Sequence, residues 1–174
     1  MEIREATPKD FEELNKFYEY MCRVLNEKDF LPNGNKGGFP SEEMILEAIN
    51  SATQFIGVED GKIMAGYIMN HDCDNGYNSV HWQRDIKAEE VIILHALRVS
   101  PEHGGKGYAK ELIKHAVKIA REREQKAIRL DILEGNFIPE KMYTSQGFKY
   151  IDTVEIFYED IGEAMRFRLM ELLL

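Results

Sequence analysis

Residues 99–113 read VSPEHGGKGYAKELI and place three glycines and a lysine within the four positions 104–107. This glycine-rich stretch follows an apolar run, EEVIILHALRV (89–99), and leads into a segment with helical periodicity, GYAKELIKHAVKIAREREQ (107–125). The apolar run is typical of a buried strand, and KAIRLDIL (126–133) predicts another strand after the helix. The order strand, glycine turn, helix and strand predicts a crossover unit.

Two interpretations of the glycine turn follow from its residues alone. The first N–H groups of a helix lack intrahelical partners and lie at the positive end of the helix dipole, so glycines there let a phosphate approach closely. Glycines also serve plain turns. The spacing excludes two nucleotide motifs. If Lys106 were the lysine of a phosphate loop, G-x-x-x-x-G-K-[ST], the first glycine of that motif would fall at Ser100. If Gly105 and Gly107 began a dinucleotide fingerprint, G-x-G-x-x-G, its third glycine would fall at Lys110.

The chain before this unit predicts one strand, two helices and a hairpin. MEIREA (1–6) alternates like a strand, and Thr7 and Pro8 then suit the start of a helix. The face of this helix that we expect in the core consists of Phe11, Leu14, Phe17, Tyr18, Met21, Cys22 and Leu25. A loop at 31–40 precedes Ser41, the cap of a second helix carrying Met44, Ile45, Ala48 and Ile49. TQFIGVE (53–59) and KIMAGYIMN (62–70), joined by Asp-Gly, predict the hairpin.

The rest of the chain fits the same single domain, residues 1–174. Residues 71–88 are polar and longer than an ordinary connection, which is typical of loops that line sites. NFIPEKMYTSQ (136–146) predicts a short helix ending near Gly147, and alternating runs around 150–159 and 164–174 follow. The final run suits either a sheet strand or a dimer surface. No repeat or second domain is evident.

Charge and cysteine usage narrow the class of protein. The 174 residues include 22 Lys plus Arg and 31 Asp plus Glu, a net charge of −9, which disfavours binding to nucleic acid or to an anionic membrane. Cys22 and Cys73 lie far apart in different contexts and predict no disulfide, so we expect a cytoplasmic protein. No apolar run reaches the length of a membrane span. We expect no metal, since the group His71, Asp72, Cys73, Asp74 and His81 lacks the spacing of a zinc or calcium site.

Two motifs resemble those of the GCN5-related N-acetyltransferase (GNAT) family. LRVSPEHGGKGYAKELI resembles motif A of that family, in which a strand ending L-x-V is followed by P and then R/Q-x-x-G-x-G/A. NFIPEKMYTSQGF resembles its second signature, N-x-x-A-x-x-L-Y-x-x-x-G-F. IREATPKDFEEL is similar to the family's first strand and helix. Gly104 stands where the family has Arg or Gln. Lys106 or His103 could compensate electrostatically for the missing side chain. Pro139 stands where the family has Ala. A proline is tolerated there only if it lies in the first turn of the helix.

The resemblance implies an α/β fold, a mixed, mostly antiparallel twisted sheet with flanking helices that splays at the strand ending in LRV. It implies transfer of an acetyl group from acetyl-CoA, the co-substrate, to a primary amine of a small molecule or a protein. With no Cys or Ser in an activated nucleophile motif, we expect direct transfer. The alternative is a noncatalytic acyl-CoA-binding or regulatory module of the same fold. A homodimer is compatible with either function.

The resemblance also implies roles for individual residues. Tyr143 matches the tyrosine that protonates or positions the coenzyme A sulfur. His95, on the strand, and Glu90, at its entrance, are the candidates for the base; a core histidine and a solvated loop end are their plain structural alternatives. Tyr77 and Trp82 are candidates for the wall of the acceptor pocket. The residues implied in coenzyme A binding are Leu97, Arg98, Val99, Gly104, Gly105, Lys106, Gly107, Tyr108, Ala109, Asn136 and Tyr143.

Overall fold

The computed structural model describes residues 1–26, 39–159 and 161–174, which contain seven strands and four α-helices. The strands are β1 Glu2–Glu5, β2 Gln54–Glu59, β3 Lys62–Asn70, β4 Val91–Val99, β5 Ala127–Leu133, β6 Lys149–Phe157 and β7 Ala164–Leu173. The helices are α1 Phe11–Asn26, α2 Glu42–Asn50, α3 Tyr108–Glu122 and α4 Phe137–Ser145. Most of the loop predicted at 31–40 lies outside the described residues. None of the helices in the described part of the chain is both long and apolar enough to cross a bilayer.

All seven strands form one sheet in the order β1-β2-β3-β4-β5-β7-β6. Only the β4–β5 pair is parallel, and the other five pairs are antiparallel. The mixed, mostly antiparallel sheet predicted from the sequence is confirmed. Of the two interpretations of the C-terminal run, the structure shows the sheet strand, because β7 pairs with β5 on one side and β6 on the other. The homodimer stays a prediction.

Local signals set several element boundaries as predicted. The Ser41 hydroxyl accepts a hydrogen bond from the Met44 N–H at 3.2 Å and so caps α2. Asp60 and Gly61 both have positive φ, as a two-residue hairpin between β2 and β3 requires. Met44 itself, expected on the buried face of α2, is 36% exposed, so the core face of that helix is narrower than predicted.

Helices cover both faces of the sheet. On one face, α3 and α4 pack against β2, β3, β4 and β5, with Leu112 and Ile113 of α3 fully buried. On the other face, α1 and α2 pack over β2 and β3 through residues such as Leu14 and Ile45. Adjacent β2 residues alternate between the two clusters, as the pleat of a strand demands: Phe55 faces α3 and Ile56 faces α1.

The sheet opens between β4 and β5. Their parallel pairing extends only from Val91 opposite Ala127 to Ile93 opposite Arg129, although β4 continues to Val99 and β5 to Leu133. The splay predicted near the end of β4 is therefore present. It leaves a gap, lined by the two diverging strand edges, in the middle of the sheet.

A β-bulge at Ala96 accompanies this opening. Ala96 has a left-handed φ of 49°, and the register between β3 and β4 shifts at the same place. The two-residue alternation of a strand predicts one face for Ile93, His95, Leu97 and Val99, and for the last two this is wrong. Leu97 and Val99 pack in the cluster of α3, whereas Ile93 packs in the cluster on the opposite face. The extra residue reverses the alternation beyond His95.

Candidate active site

The edge of β4 that faces the gap is the first part of the site. Beyond Ile93, β4 pairs with β3 alone among the described strands, so its other edge from Leu94 to Val99 is available to an extended ligand. The segment Leu97, Arg98 and Val99, predicted to bind the pantetheine arm, lies there. The Arg98 guanidinium donates a hydrogen bond to the Leu97 carbonyl oxygen at 3.0 Å.

The glycine turn lies directly before α3. Gly105 and Gly107 have φ of 80° and 86°, a left-handed conformation that favours glycine, and a side chain on either would extend into open space. The N–H groups of Gly105, Gly107, Tyr108 and Ala109 have no hydrogen-bond acceptor within the part of the chain that the structure describes. Unpaired N–H groups at a helix start, reachable from solvent, suit an anion such as a pyrophosphate.

A carboxylate from β2 organises the side chains of this turn. Glu59 accepts a hydrogen bond from the Tyr108 hydroxyl and forms ion-pair contacts with His103 Nε2 at 3.2 Å and Lys106 Nζ at 3.6 Å. The Tyr108 contact lowers the pKa of Glu59 and raises the pKa of Tyr108 to about 12. Lys106 and His103 were expected to make up for the missing side chain at Gly104. In this structure both are paired with Glu59, which the sequence reasoning missed.

Tyr143 reaches the site from α4. Its ring is 7% exposed and packs edge-to-face against Phe148, with centroids 5.3 Å apart. Burial raises the pKa of Tyr143; the charge of Arg98 opposes that shift and the charge of Asp131 adds to it. The hydroxyl has no hydrogen-bond partner in the described residues. A phenol held neutral by burial keeps its proton available for donation.

The second motif folds around the start of α4. Pro139 is the third residue of the helix, where its missing N–H costs no intrahelical hydrogen bond, as its presence in the motif requires. Asn136 occupies the capping position, but its side chain makes no capping hydrogen bond. The Asn136 side chain therefore does not cap α4, and its predicted contact with coenzyme A stays a prediction.

His95 lies in the gap on the face opposite α3. Its Nε2 is 2.9 Å from Asn70 Oδ1. The Asn70 amide is oriented by Asp72, since Nδ2 donates to Asp72 Oδ2 at 2.7 Å and Oδ1 accepts from the Asp72 N–H at 3.1 Å. Because Asn70 Oδ1 can only accept, Nε2 of His95 carries a proton, and Nδ1 is the basic nitrogen of the neutral ring. Burial lowers the pKa of His95, although Asp131 and Asp72 oppose that shift.

Asp131 is a second group in the gap and was missed by the sequence reasoning. It lies two residues beyond Arg129 on β5, as His95 lies two residues beyond Ile93 on β4, so the two side chains are level on the same face where the strands part. Tyr77 and Tyr158 both donate hydrogen bonds to Asp131 Oδ2, at 2.7 and 3.0 Å. The available signal was one acidic residue inside an otherwise apolar strand end, LDIL (130–133).

The polar loop at 71–88 closes this face of the site. Tyr77 contributes its hydroxyl to Asp131, and Trp82 packs 5.6 Å from the Tyr77 ring while Arg129 lies 3.9 Å above the indole. Tyr77 therefore lies beside the gap and Trp82 lies behind it, and their role as the wall of an acceptor pocket stays a prediction.

Glu90 is not brought to the gap. It precedes β4 at the end where β4 and β5 are still paired, and its carboxylate forms an ion pair with Lys126. That pairing lowers the pKa of Glu90. The position and partner of Glu90 favour the structural interpretation over a role as base. No group of three or more metal-binding side chains is found in the described ranges.

Comparison with known proteins agrees with this fold. A family model described as "Acetyltransferase (GNAT) family" matches residues 17–148. A GNAT-family acetyltransferase from Streptococcus agalactiae 2603 has a TM-score of 0.80 at 18% identity, covering 99% of this chain and 94% of that chain. The search of curated sequences gives no significant relative.

Two further structures share the fold. The yncA protein of Salmonella typhimurium, solved with its cofactor acetyl-CoA, has a TM-score of 0.70 at 16% identity and covers 99% of this chain and 93% of that chain. A ribosomal-protein-alanine N-acetyltransferase from Brucella melitensis has a TM-score of 0.71 at 19% identity, with 100% of each chain covered. At these identities the likeness is one of fold.

Proposed function

Because the chain belongs to the acetyltransferase (GNAT) family, we propose that it transfers an acetyl group from acetyl-CoA to a primary amine by direct attack. The observation that supports this most strongly is the gap between β4 and β5, which has a free strand edge, a neutral phenol and a histidine around one opening. Direct acetyl transfer needs a place for a thioester, an acid for the leaving thiolate and a base for the amine. The gap offers one candidate for each task.

The residues that hold the co-substrate in this proposal form a continuous path. The unpaired N–H groups of Gly105, Gly107, Tyr108 and Ala109 bind the pyrophosphate. The free edge of β4 at Leu97 to Val99 pairs with the pantetheine arm. Asn136 contacts the co-substrate from the start of α4. The fit rests on the unpaired N–H groups and on the open space beside Gly105 and Gly107. Acetyl-CoA supplies the activated acetyl group as a thioester.

The two proton transfers of the reaction give roles to Tyr143 and His95. As the amine nitrogen forms the new C–N bond and the C–S bond breaks, Tyr143 donates its hydroxyl proton to the departing sulfur. His95 accepts the proton that the amine loses, at Nδ1. Both side chains then return to their starting state by exchange with solvent. A raised pKa keeps Tyr143 protonated, and a lowered pKa keeps His95 neutral and able to accept a proton at neutral pH.

The test is an assay of free thiol from acetyl-CoA in the presence of tyramine, spermidine, lysine and a peptide with an N-terminal alanine. The proposal predicts thiol release that depends on at least one amine, with the acetylated amine detected by mass spectrometry. Tight binding of acetyl-CoA without turnover on any of these amines would contradict it and favour the noncatalytic acyl-CoA-binding module.

A further inference from the structure

The Asp131 carboxylate has no lysine or arginine partner among the residues that the structure describes. Tyr77 and Tyr158 both donate to its Oδ2, and Oδ1 accepts no hydrogen bond from the described residues. No lysine or arginine within those residues forms an ion pair with Asp131, and the basic side chain whose charge acts on it is His95. A carboxylate in low-dielectric surroundings without a counter-ion is costly to keep ionised, so a cation would be bound favourably there.

The surroundings of Asp131 strengthen the preference for a cation. Asp74 acts on Asp131 with a like charge, and Asp72 acts on the neighbouring His95. Asp131 remains partly exposed, so a ligand can reach it from the gap. The tyrosine hydroxyls hold one carboxylate oxygen in place and leave the other able to accept from the three N–H donors of an ammonium group.

We propose that Asp131 recognises the acceptor by binding its amine as an ammonium ion, with Tyr77 and Tyr158 positioning the carboxylate. The acceptors are therefore primary amines that are protonated when they enter the site. Asp131 holds the nitrogen level with His95, which takes one ammonium proton and releases it to solvent. The neutral amine then attacks while His95 is again able to accept the proton lost on amide formation. This inference rests on the proposed acetyl transfer and names the substrate class of the same site.

Binding of the ammonium can be observed without turnover. The protein labelled with ¹³C at aspartate carboxyl groups is titrated with n-butylamine hydrochloride and, separately, with n-butanol as the neutral match, and the Asp131 resonance is identified by its loss in Asp131→Asn. We expect a saturable shift of that resonance with the amine and none with the alcohol. The absence of a saturable shift, or an equal response to the alcohol, would overturn the proposal.

Kinetics give a second, independent readout on whichever amine releases thiol. Asp131→Asn keeps the shape of the side chain, and we expect the KM for the amine to rise about tenfold or more while the KM for acetyl-CoA is unchanged. Tyr77→Phe, which retains the carboxylate, should raise the amine KM by less and change kcat little. The matched control is Asp152→Asn on the exposed side of β6, which should leave both KM values unchanged.

The outcomes separate this inference from the proposed function. An unchanged amine KM in Asp131→Asn, alongside normal turnover, would overturn the recognition site and leave acetyl transfer intact. An amine-dependent shift of Asp131 without thiol release from any amine would support the site and contradict the transferase. An equal rise of both KM values would also overturn the inference, because it would show general damage to the fold.

Discussion

The backbone conformation of Gly107 connects the glycine turn to ligand binding. Gly107 has a left-handed φ of 86° at the start of α3, and its N–H is unpaired in the described part of the chain. Gly107→Ala should cost about 1 kcal/mol of stability, because an L side chain is strained in this region. We expect a larger effect on coenzyme A, with affinity falling about tenfold or more as the methyl group occupies the approach of the pyrophosphate.

The control for Gly107 is Gly162→Ala in the β6–β7 connection. Gly162 has a φ of 82° and, like Gly107, open space where a side chain would begin. It should lose a similar amount of stability by thermal unfolding and keep its coenzyme A affinity by calorimetry. Equal coenzyme A affinity in the two variants would contradict a role of the turn in binding the pyrophosphate.

Tyr143 is the residue whose proposed chemistry is most separable from its packing. Tyr143→Phe keeps the edge-to-face contact with Phe148 and removes only the hydroxyl, so the fold and coenzyme A binding should persist. We expect kcat at saturating substrates to fall about 100-fold, the usual contribution of a general acid. Tyr150→Phe, on the exposed edge strand β6, is the matched control and should retain full kcat. A Tyr143→Phe variant with unaltered kcat would rule out the acid.

At this scale the sequence predicts backbone roles better than side-chain partnerships. The glycines, Pro139 and Tyr143 could be placed because local motifs fix their spacing along the chain. Glu59 and Asp131 could not, since their importance arises from contacts with residues tens of positions away, such as Tyr108 for Glu59 and Tyr77 for Asp131. No local pattern in a single sequence records such contacts.

Among the elements, β4 is predicted well in its boundaries but not in the face that its last side chains occupy. Its boundaries follow from an apolar run that ends two residues before Pro101, but the bulge at Ala96 leaves no signal in that run. Hydrogen bonds from distant residues hold the backbone at Ala96. The Tyr18 hydroxyl of α1 donates to the Ala96 carbonyl at 3.2 Å, and Gln54 donates to the Tyr18 oxygen. A strict two-residue period therefore assigns Leu97 and Val99 to the wrong face.

The loop at 71–88 is attached to the sheet through a buried ion pair. Glu171 of β7 is fully buried, accepts from Arg129 of β5 at 2.9 Å and also accepts the Gln83 N–H at 3.0 Å. Glu171→Gln leaves the Arg129 charge without its partner, and we expect a loss of about 3 kcal/mol in the free energy of unfolding.

Denaturant unfolding measures that loss against a surface pair. Glu134→Gln breaks the exposed contact with Arg166 and should cost less than about 1 kcal/mol. If the two variants unfolded at the same denaturant concentration, the buried pair would not be what holds this loop.

At the scale of the whole molecule, the net charge and the sheet topology both bear on the gap between β4 and β5. The net charge of −9 and the carboxylates around the gap favour a positively charged acceptor. The sheet brings the glycine turn before α3 and the polar loop at 71–88 to opposite sides of one opening. The order of elements predicted this arrangement in outline, because the crossover unit fixes β4 and β5 as parallel neighbours. The depth of the gap depends on how far they diverge, which no local pattern encodes.

The most direct test of co-substrate binding in this gap, the central claim about the site, is a crystal structure of the protein with coenzyme A. The account predicts the pyrophosphate on the N–H groups of residues 105–109, the pantetheine arm along β4 from Leu97 to Val99, and the sulfur within hydrogen-bond distance of the Tyr143 hydroxyl. A coenzyme A molecule bound elsewhere, or with its sulfur outside the opening between β4 and β5, would contradict it.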